Sequence, residues 1–165
     1  MTYLGSKDDI FSLGDLVIMA VPYPALADLA DQYGDQLAGK VVVDITNPLN
    51  FETWDELVVP ADSSAAQELQ KLLPNSKVLK AFNTTFAATL QSGQVGGQQQ
   101  TTANLAGDDD DAKATFKEAL KGSPLAVLDA GKLKRARELE ATGFLQMTLA
   151  ASEQIGWTGG FGVIK

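Results

Sequence analysis

Two short apolar runs limit what this chain can fold into more than anything else in it. Residues 16–22, LVIMAVP, and residues 41–48, VVVDITNP, are rich in branched side chains, and each ends in a loop that carries proline. A strand covered on both faces of a parallel sheet has this character, whereas a strand with one wet face alternates apolar and polar residues. Between the runs Leu26, Leu29, Ala30, Tyr33 and Leu37 recur at helical spacing, and Gly39 closes the segment. The simplest reading is a strand–helix–strand unit. Ligands of open α/β sheets bind outside the carboxyl ends of the strands, so the loops after both runs border one crevice.

The rest of the chain continues the alternation. Residues 46–60 form a long aperiodic loop, and 62–64 offer N-caps for a helix over 65–73. Residues 77–82 read as a strand ending in Asn83, and 86–90 as a short helix. The stretch 93–100, with three glycines and four glutamines, reads as a mobile loop. Residues 101–106 form a further core strand. The four aspartates 108–111 precede a helix over 112–121, where carboxylates cap amides and meet the positive dipole end; capping explains them better than a metal does. A short strand over 125–128 follows.

The last helix, 132 to about 155, is the longest, with an apolar stripe that includes Leu133, Leu139 and Met147. Gly143 interrupts it, which predicts that another backbone comes close there. Lys132, Lys134, Arg135 and Arg137 crowd its first turns; pairing with Glu138 and Glu140 accounts for them, and contact with an anion or a second subunit is the alternative. Together the elements predict an α/β fold, a Rossmann-like, mostly parallel sheet with helices on both faces and a long C-terminal helix. Residues 1–131 make up the sheet unit, and 132–165 a helix and tail packed into the same compact body.

Composition narrows the chemistry. A formal charge of −8 argues against a nucleic-acid surface and against docking on anionic lipid. The chain has no cysteine and no histidine, so thiolate nucleophiles, Ser-His-Asp relays and imidazole metal sites are excluded. Ser63 and Ser64 have no base beside them and read as helix caps rather than nucleophiles. With no apolar run of membrane-spanning length and no leader pattern, a cytoplasmic protein is expected, with no membrane contact.

The loops carry a resemblance. The ordered succession AVPYPAL, VVVDITNPLN, VVPADSSAAQEL, KVLKAFNTTFA, AGDD, DAGKLKRARELE and GWTGGF is similar to the family of NADPH-dependent oxidoreductases related to the reductase that exchanges hydride between NADP and the deazaflavin coenzyme F420. The family opens with a strand and a G-x-G-x-x-G turn for the dinucleotide pyrophosphate. This sequence has no such motif. It starts at what corresponds to the family's second strand, so the first βα unit is expected to be missing, by truncation or by a loss that impairs nucleotide binding.

What the resemblance implies is residue-specific. Gly5, Ser6 and Lys7 match the loop around the NADP 2′-phosphate, where a hydroxyl, a backbone amide and an ammonium suit a phosphate. Ala20, Val21, Pro22 and Tyr23 match the loop along the nicotinamide ribose. Thr46, Asn47 and Pro48 match a second wall, and Ala81, Phe82 and Asn83 a third, near the nicotinamide face. Asp44 lies inside its strand and reads as structural. The expected cofactor is NADP(H), with a flavin or deazaflavin as second substrate near Trp157, Gly159, Gly160 and Phe161.

Hydride transfer between two such rings is the cofactors' chemistry and requires no side-chain acid or base, so no catalytic residue is assigned. Reduction of a small carbonyl would instead want a proton donor, a role open to Tyr23. The expected assembly is a homodimer through the C-terminal helix acting on a small-molecule acceptor. The alternative reading is a non-catalytic dinucleotide-binding module that no longer holds NADP tightly.

Overall fold

The structure is a computed structural model that describes residues 14–164. Its sheet contains β1 (Leu16–Met19), β2 (Val41–Asp44), β3 (Lys77–Lys80), β6 (Thr102–Gly107) and β7 (Ala126–Gly131) in the order β1-β2-β3-β6-β7. Helices α1 (Ala25–Leu37) and α2 (Ala65–Leu72) connect the first three strands, which run parallel; β6 and β7 are also mutually parallel. This is an α/β dinucleotide-binding fold, as the strand and helix alternation predicts.

One join departs from parallel. β6 runs antiparallel to β3, with Leu79 opposite Gly107 and Lys80 opposite Ala106. The link between them holds α3 (Ala87–Ser92) and a two-stranded ribbon, β4 (Gln94–Val95) and β5 (Gln99–Gln100). Six helical residues advance only about 9 Å, too little to return the chain to the start of β3, so the next strand enters from the finishing end. The ribbon replaces the mobile loop expected over 93–100. Gly96 and Gly97 both take positive φ, 60° and 69°, and Gln98 N–H bonds Val95 O across them at 3.1 Å. That is the primed turn two-residue hairpins prefer, and glycine adopts it freely.

Alternation along the strands divides the core in two. Val17, Met19, Val42 and Val78 pack with Leu26, Leu37, Leu69 and Leu133 under α1 and α2. Val41, Val43, Leu79 and Leu105 face the other way onto Ala112 and Phe116 of α4 (Asp110–Ala119). Among the described residues β1 pairs only with β2, and Ile18, on the face α4 covers elsewhere, stays 47% exposed.

The capping reading of the aspartate run holds: Asp109 Oδ1 accepts from Ala112 N–H at 2.7 Å at the start of α4. Ser64 caps α2 by accepting from Gln67 N–H. The C-terminal helix begins with a 3-10 turn, Leu133–Arg135, and continues as α5, Ala136–Ala151. It ends four residues before the expected Ile155. Gln154 and Ile155 N–H both turn back to Leu149 O, with Glu153 at φ 60°, and send the tail across the β4–β5 ribbon, where Gly96 N–H meets Thr158 O. No described helix is long and apolar enough to cross a membrane.

Candidate functional site

Register sets the rim. Met19 stands beside Asp44 and Asp44 beside Lys80, so β1, β2 and β3 finish in one row. The loops beginning at Ala20, Ile45 and Ala81 therefore leave the sheet side by side. This is the carboxyl-end rim at which ligands of open α/β sheets bind.

Beneath the rim lies a charged cluster wholly out of water. Lys80, Asp44 and Glu140 are 0%, 0% and 1% exposed. The Lys80 ammonium donates to Asp44 Oδ2 at 2.8 Å and to Thr46 O at 2.6 Å, and pairs with Glu140 Oε1 at 2.8 Å. Asp44 Oδ1 accepts from Thr46 N–H, and Glu140 accepts from Ala65 N–H and Ala66 N–H at the start of α2. Burial raises the Glu140 carboxyl above its ordinary range, against the opposing pull of Lys80 and the Ala65 amide. Asp44 is structural, as expected. Glu140 does not pair with the surface bases of its helix; Glu138 takes Arg135 and Arg137, and Glu140 turns inward because Lys80 is there.

Above the cluster the two rim asparagines meet. Asn47 Nδ2 donates to Asn83 O at 2.9 Å, while Asn83 Nδ2 donates to Asn47 Oδ1 at 3.0 Å and to Leu139 O of α5 at 2.9 Å. Gly143 is what lets the helix come this close, since a Cβ there would lie 2.8 Å from Asn83 O. The predicted close approach at Gly143 is therefore found, with a backbone carbonyl as the neighbour. The turn carrying Asn83 is tight: Phe82 is held at φ 63°, costly for a bulky residue, and its carbonyl accepts from Thr85 N–H and Oγ1. Two buried polar atoms of this rim, Thr46 Oγ1 and Asn83 Oδ1, have no hydrogen-bond partner.

A sequence model of the family described as NADP oxidoreductase coenzyme F420-dependent matches residues 3–48. The chain is 31% identical over 132 residues to the F420-dependent NADP reductase of Methanocaldococcus jannaschii, covering 78% of this chain and 58% of that protein. The crystal structure of a protein from Arthrobacter sp. FB24 described as an F420-dependent NADP-reductase superposes with a TM-score of 0.80 at 26% identity, covering 95% of this chain and 73% of that one. These likenesses support an F420-oxidoreductase-like family for the chain. It is also 36% identical over 138 residues to Metalloreductase STEAP3 of Rattus norvegicus, covering 82% of this chain and 26% of that protein. The chain thus spans little more than half of the archaeal relative and about a quarter of the rat one.

Set against the family's site, the expected positions divide into three groups. Thr46, Asn47, Pro48, Ala81 and Asn83 converge on one wall, with Thr46, Pro48, Ala81 and Asn83 buried and Asn47 half-buried. Ala20, Val21, Pro22 and Tyr23 form the neighbouring loop on the same rim, where Val21 and Tyr23 pack against the core and Ala20 and Pro22 are exposed. Tyr23 lines a small cleft of about 130 Å³ with Ala65, Glu68 and Leu72. Burial raises its hydroxyl pKa, and Glu68, Glu140 and Asp44 add to the shift, so it is a neutral phenol at physiological pH. Gly5, Ser6 and Lys7 lie outside the described residues.

The residues present fit the nicotinamide end of the family's cofactor. Thr46 Oγ1 and Asn83 Oδ1 are buried and unpartnered beneath the rim, and a carboxamide carries donors and an acceptor that would complement them. The sequence reading left out Lys80 and Gln146, and it set Glu140 against the basic residues of its own helix. A signal existed for the first: VVVD and KVLK end neighbouring strands with opposite charges. Glu140 and Gln146 give no such sign, because nothing local distinguishes a helical glutamate or glutamine that points inward.

Proposed function

We propose that this chain contributes the nicotinamide-side wall of an NADP(H)-dependent oxidoreductase whose acceptor is a flavin or deazaflavin-type molecule. The observation that supports it is the Asn47–Asn83 pair with unpartnered Thr46 Oγ1 and Asn83 Oδ1 where three parallel strands end. NADP(H), when bound, supplies the hydride chemistry. Thr46, Asn47 and Asn83 orient the carboxamide, Pro48 and Ala81 close the wall behind it, and Ala20 to Tyr23 line the ribose. Gly5, Ser6 and Lys7 receive the 2′-phosphate. Trp157 and Phe161, each about half exposed, offer flat surfaces to the acceptor, and Trp157 is braced on Phe86 at a ring separation of 4.9 Å. The apolar Leu145 on α5, 51% exposed, supports dimerisation along this helix.

A second reading rests on one specific observation. The 165 residues contain no G-x-G-x-x-G turn, and taken by themselves these residues would form a binding module that holds the dinucleotide weakly.

Titration of the chain with NADPH, with NADH as control, decides between them. Binding at about 1 to 10 μM, or roughly −8 to −7 kcal/mol, with NADPH preferred, is the result expected of the oxidoreductase reading. A folded chain that binds neither nucleotide at millimolar concentration overturns it.

A further inference from the structure

The Lys80 cluster does more than fill the core. An ammonium has three donors, and all three are committed: one to Asp44, one to Glu140 and one to the carbonyl of Thr46. Two of these bonds join strands and helices. The third falls on the peptide group that links Thr46 to Asn47, while Asp44 Oδ1 holds the N–H on the other side of Thr46. Thr46 is gripped from both sides, so the peptide plane from which Asn47 projects is set by a buried charge.

The same ammonium governs the opposite approach. Through Glu140 it fixes the segment of α5 whose Leu139 carbonyl accepts from Asn83 Nδ2, and whose Gly143 lies against Asn47 Oδ1. Both members of the asparagine pair thus hang from one nitrogen atom. As stabilisation alone the arrangement is poor value, since two carboxylates and one ammonium in a dry core recover little beyond their desolvation.

We propose that Lys80 is a positioning residue for the nicotinamide-side wall: through the Thr46 carbonyl and through Glu140, its ammonium sets the geometry of the Asn47–Asn83 pair. Its relevance to catalysis rests on the function proposed above; the positioning itself can be read without any ligand.

The first test is the full chain carrying Asp44→Asn, Lys80→Met and Glu140→Gln together. The three replacements nearly keep volume and leave no charge unpaired, which is the condition under which buried ion clusters can be neutralised without loss of fold. Acceptors for Thr46 N–H and Ala65 N–H are retained, and the Thr46 carbonyl loses its donor. Exchange of the Asn47 and Asn83 carboxamide protons, followed by NMR without ligand, is expected to quicken by about ten-fold or more, the scale of one lost hydrogen bond. NADPH affinity is expected to fall about ten-fold on the same grounds, while adenosine 2′,5′-bisphosphate, which has no nicotinamide, binds as before.

A second variant guards against misfolding of the first. The chain has no cysteine, so Lys80→Cys places a single thiol, which can be aminoethylated in the unfolded chain to restore an ammonium at lysine length. Slow carboxamide exchange is expected after aminoethylation and fast exchange without it. Unchanged carboxamide exchange in the triple variant, equal weakening of both ligands, or failure of the restored ammonium to slow exchange would each show that Lys80 merely holds the fold. Wild-type chain that binds no NADPH yet shows the exchange difference would overturn the proposed function and leave the positioning role standing.

Discussion

Gly143 of α5 lies directly against Asn47: a Cβ built on it would stand 2.5 Å from Asn47 Oδ1 and 2.8 Å from the carbonyl of Asn83. One of those neighbours is backbone and cannot swing away. Gly143→Ala would gain about 1 kcal/mol of helix propensity and lose about 1 to 3 kcal/mol to overpacking. Net destabilisation is expected, read as a lower urea midpoint with unchanged slope. NADPH affinity should fall with it, because the asparagine pair must part to make room.

Asn83→Asp is expected to be more damaging than its size suggests. The Asn83 amide donates to two acceptors, Asn47 Oδ1 and Leu139 O; a carboxylate there would face both with a third oxygen. A loss of about 3 kcal/mol or more is expected at neutral pH, from unpaired buried acceptors next to a buried charge. The loss should ease as pH falls, because a protonated carboxyl can again donate to one of them. Urea denaturation at pH 7 and pH 4 measures both effects.

The buried Glu140 carboxyl makes stability depend on pH in a definite direction. Its folded pKa is raised, chiefly by burial, above the 4.5 of the free side chain. Below that value both folded and unfolded chains hold the proton and there is no penalty. As pH rises past it the unfolded chain releases its proton first, so stability falls until the folded carboxyl has also ionised. Glu68, held low chiefly by Lys71 and Ser63, acts in the opposite sense, its contribution being lost as pH falls. Comparison of Glu140→Gln with wild type cancels that common term. The variant should gain relative stability as pH rises past 4.5 and level off once the folded carboxyl of the wild type has ionised, measured by urea midpoints across the range.

Gln146 fastens the tail to the rim. Its side chain, 2% exposed, accepts from Phe161 N–H at 3.0 Å and donates to Thr84 O at 3.3 Å. Gln146→Met keeps most of the volume and breaks both bonds. The tail beyond α5 is expected to become sensitive to limited proteolysis, and Trp157 to change its fluorescence as it leaves Phe86. Loss of one or two neutral hydrogen bonds costs about 1 to 3 kcal/mol, so the rest of the fold should persist.

Much of this was legible from local pattern. Branched apolar runs gave β1 and β2, the spacing of Leu26 to Leu37 gave α1, and residues 62–64 and 108–111 marked helix starts at which Ser64 and Asp109 prove to be the caps. The turn at Gly96-Gly97 was not read, because its glycine- and glutamine-rich surroundings have the composition of a mobile loop. Nor was the reversal of β6, because a strand's composition does not state which end it enters from; that depended on how far α3 could carry the chain.

By itself, then, the sequence determined the α/β class, the strands of the main sheet, the helix caps and the rim positions, since each follows from the few residues around it and their periodicity. The tertiary structure alone decided that Asn47 would bond Asn83, that Glu140 would abandon its neighbouring arginines for Lys80, and that Gly143 would be the point of contact. These pairs are separated by dozens of residues along the chain. Their partners are chosen by strand register and by the line α5 takes across the sheet, so the charge or amide that answers each of them comes within reach only when the layers close.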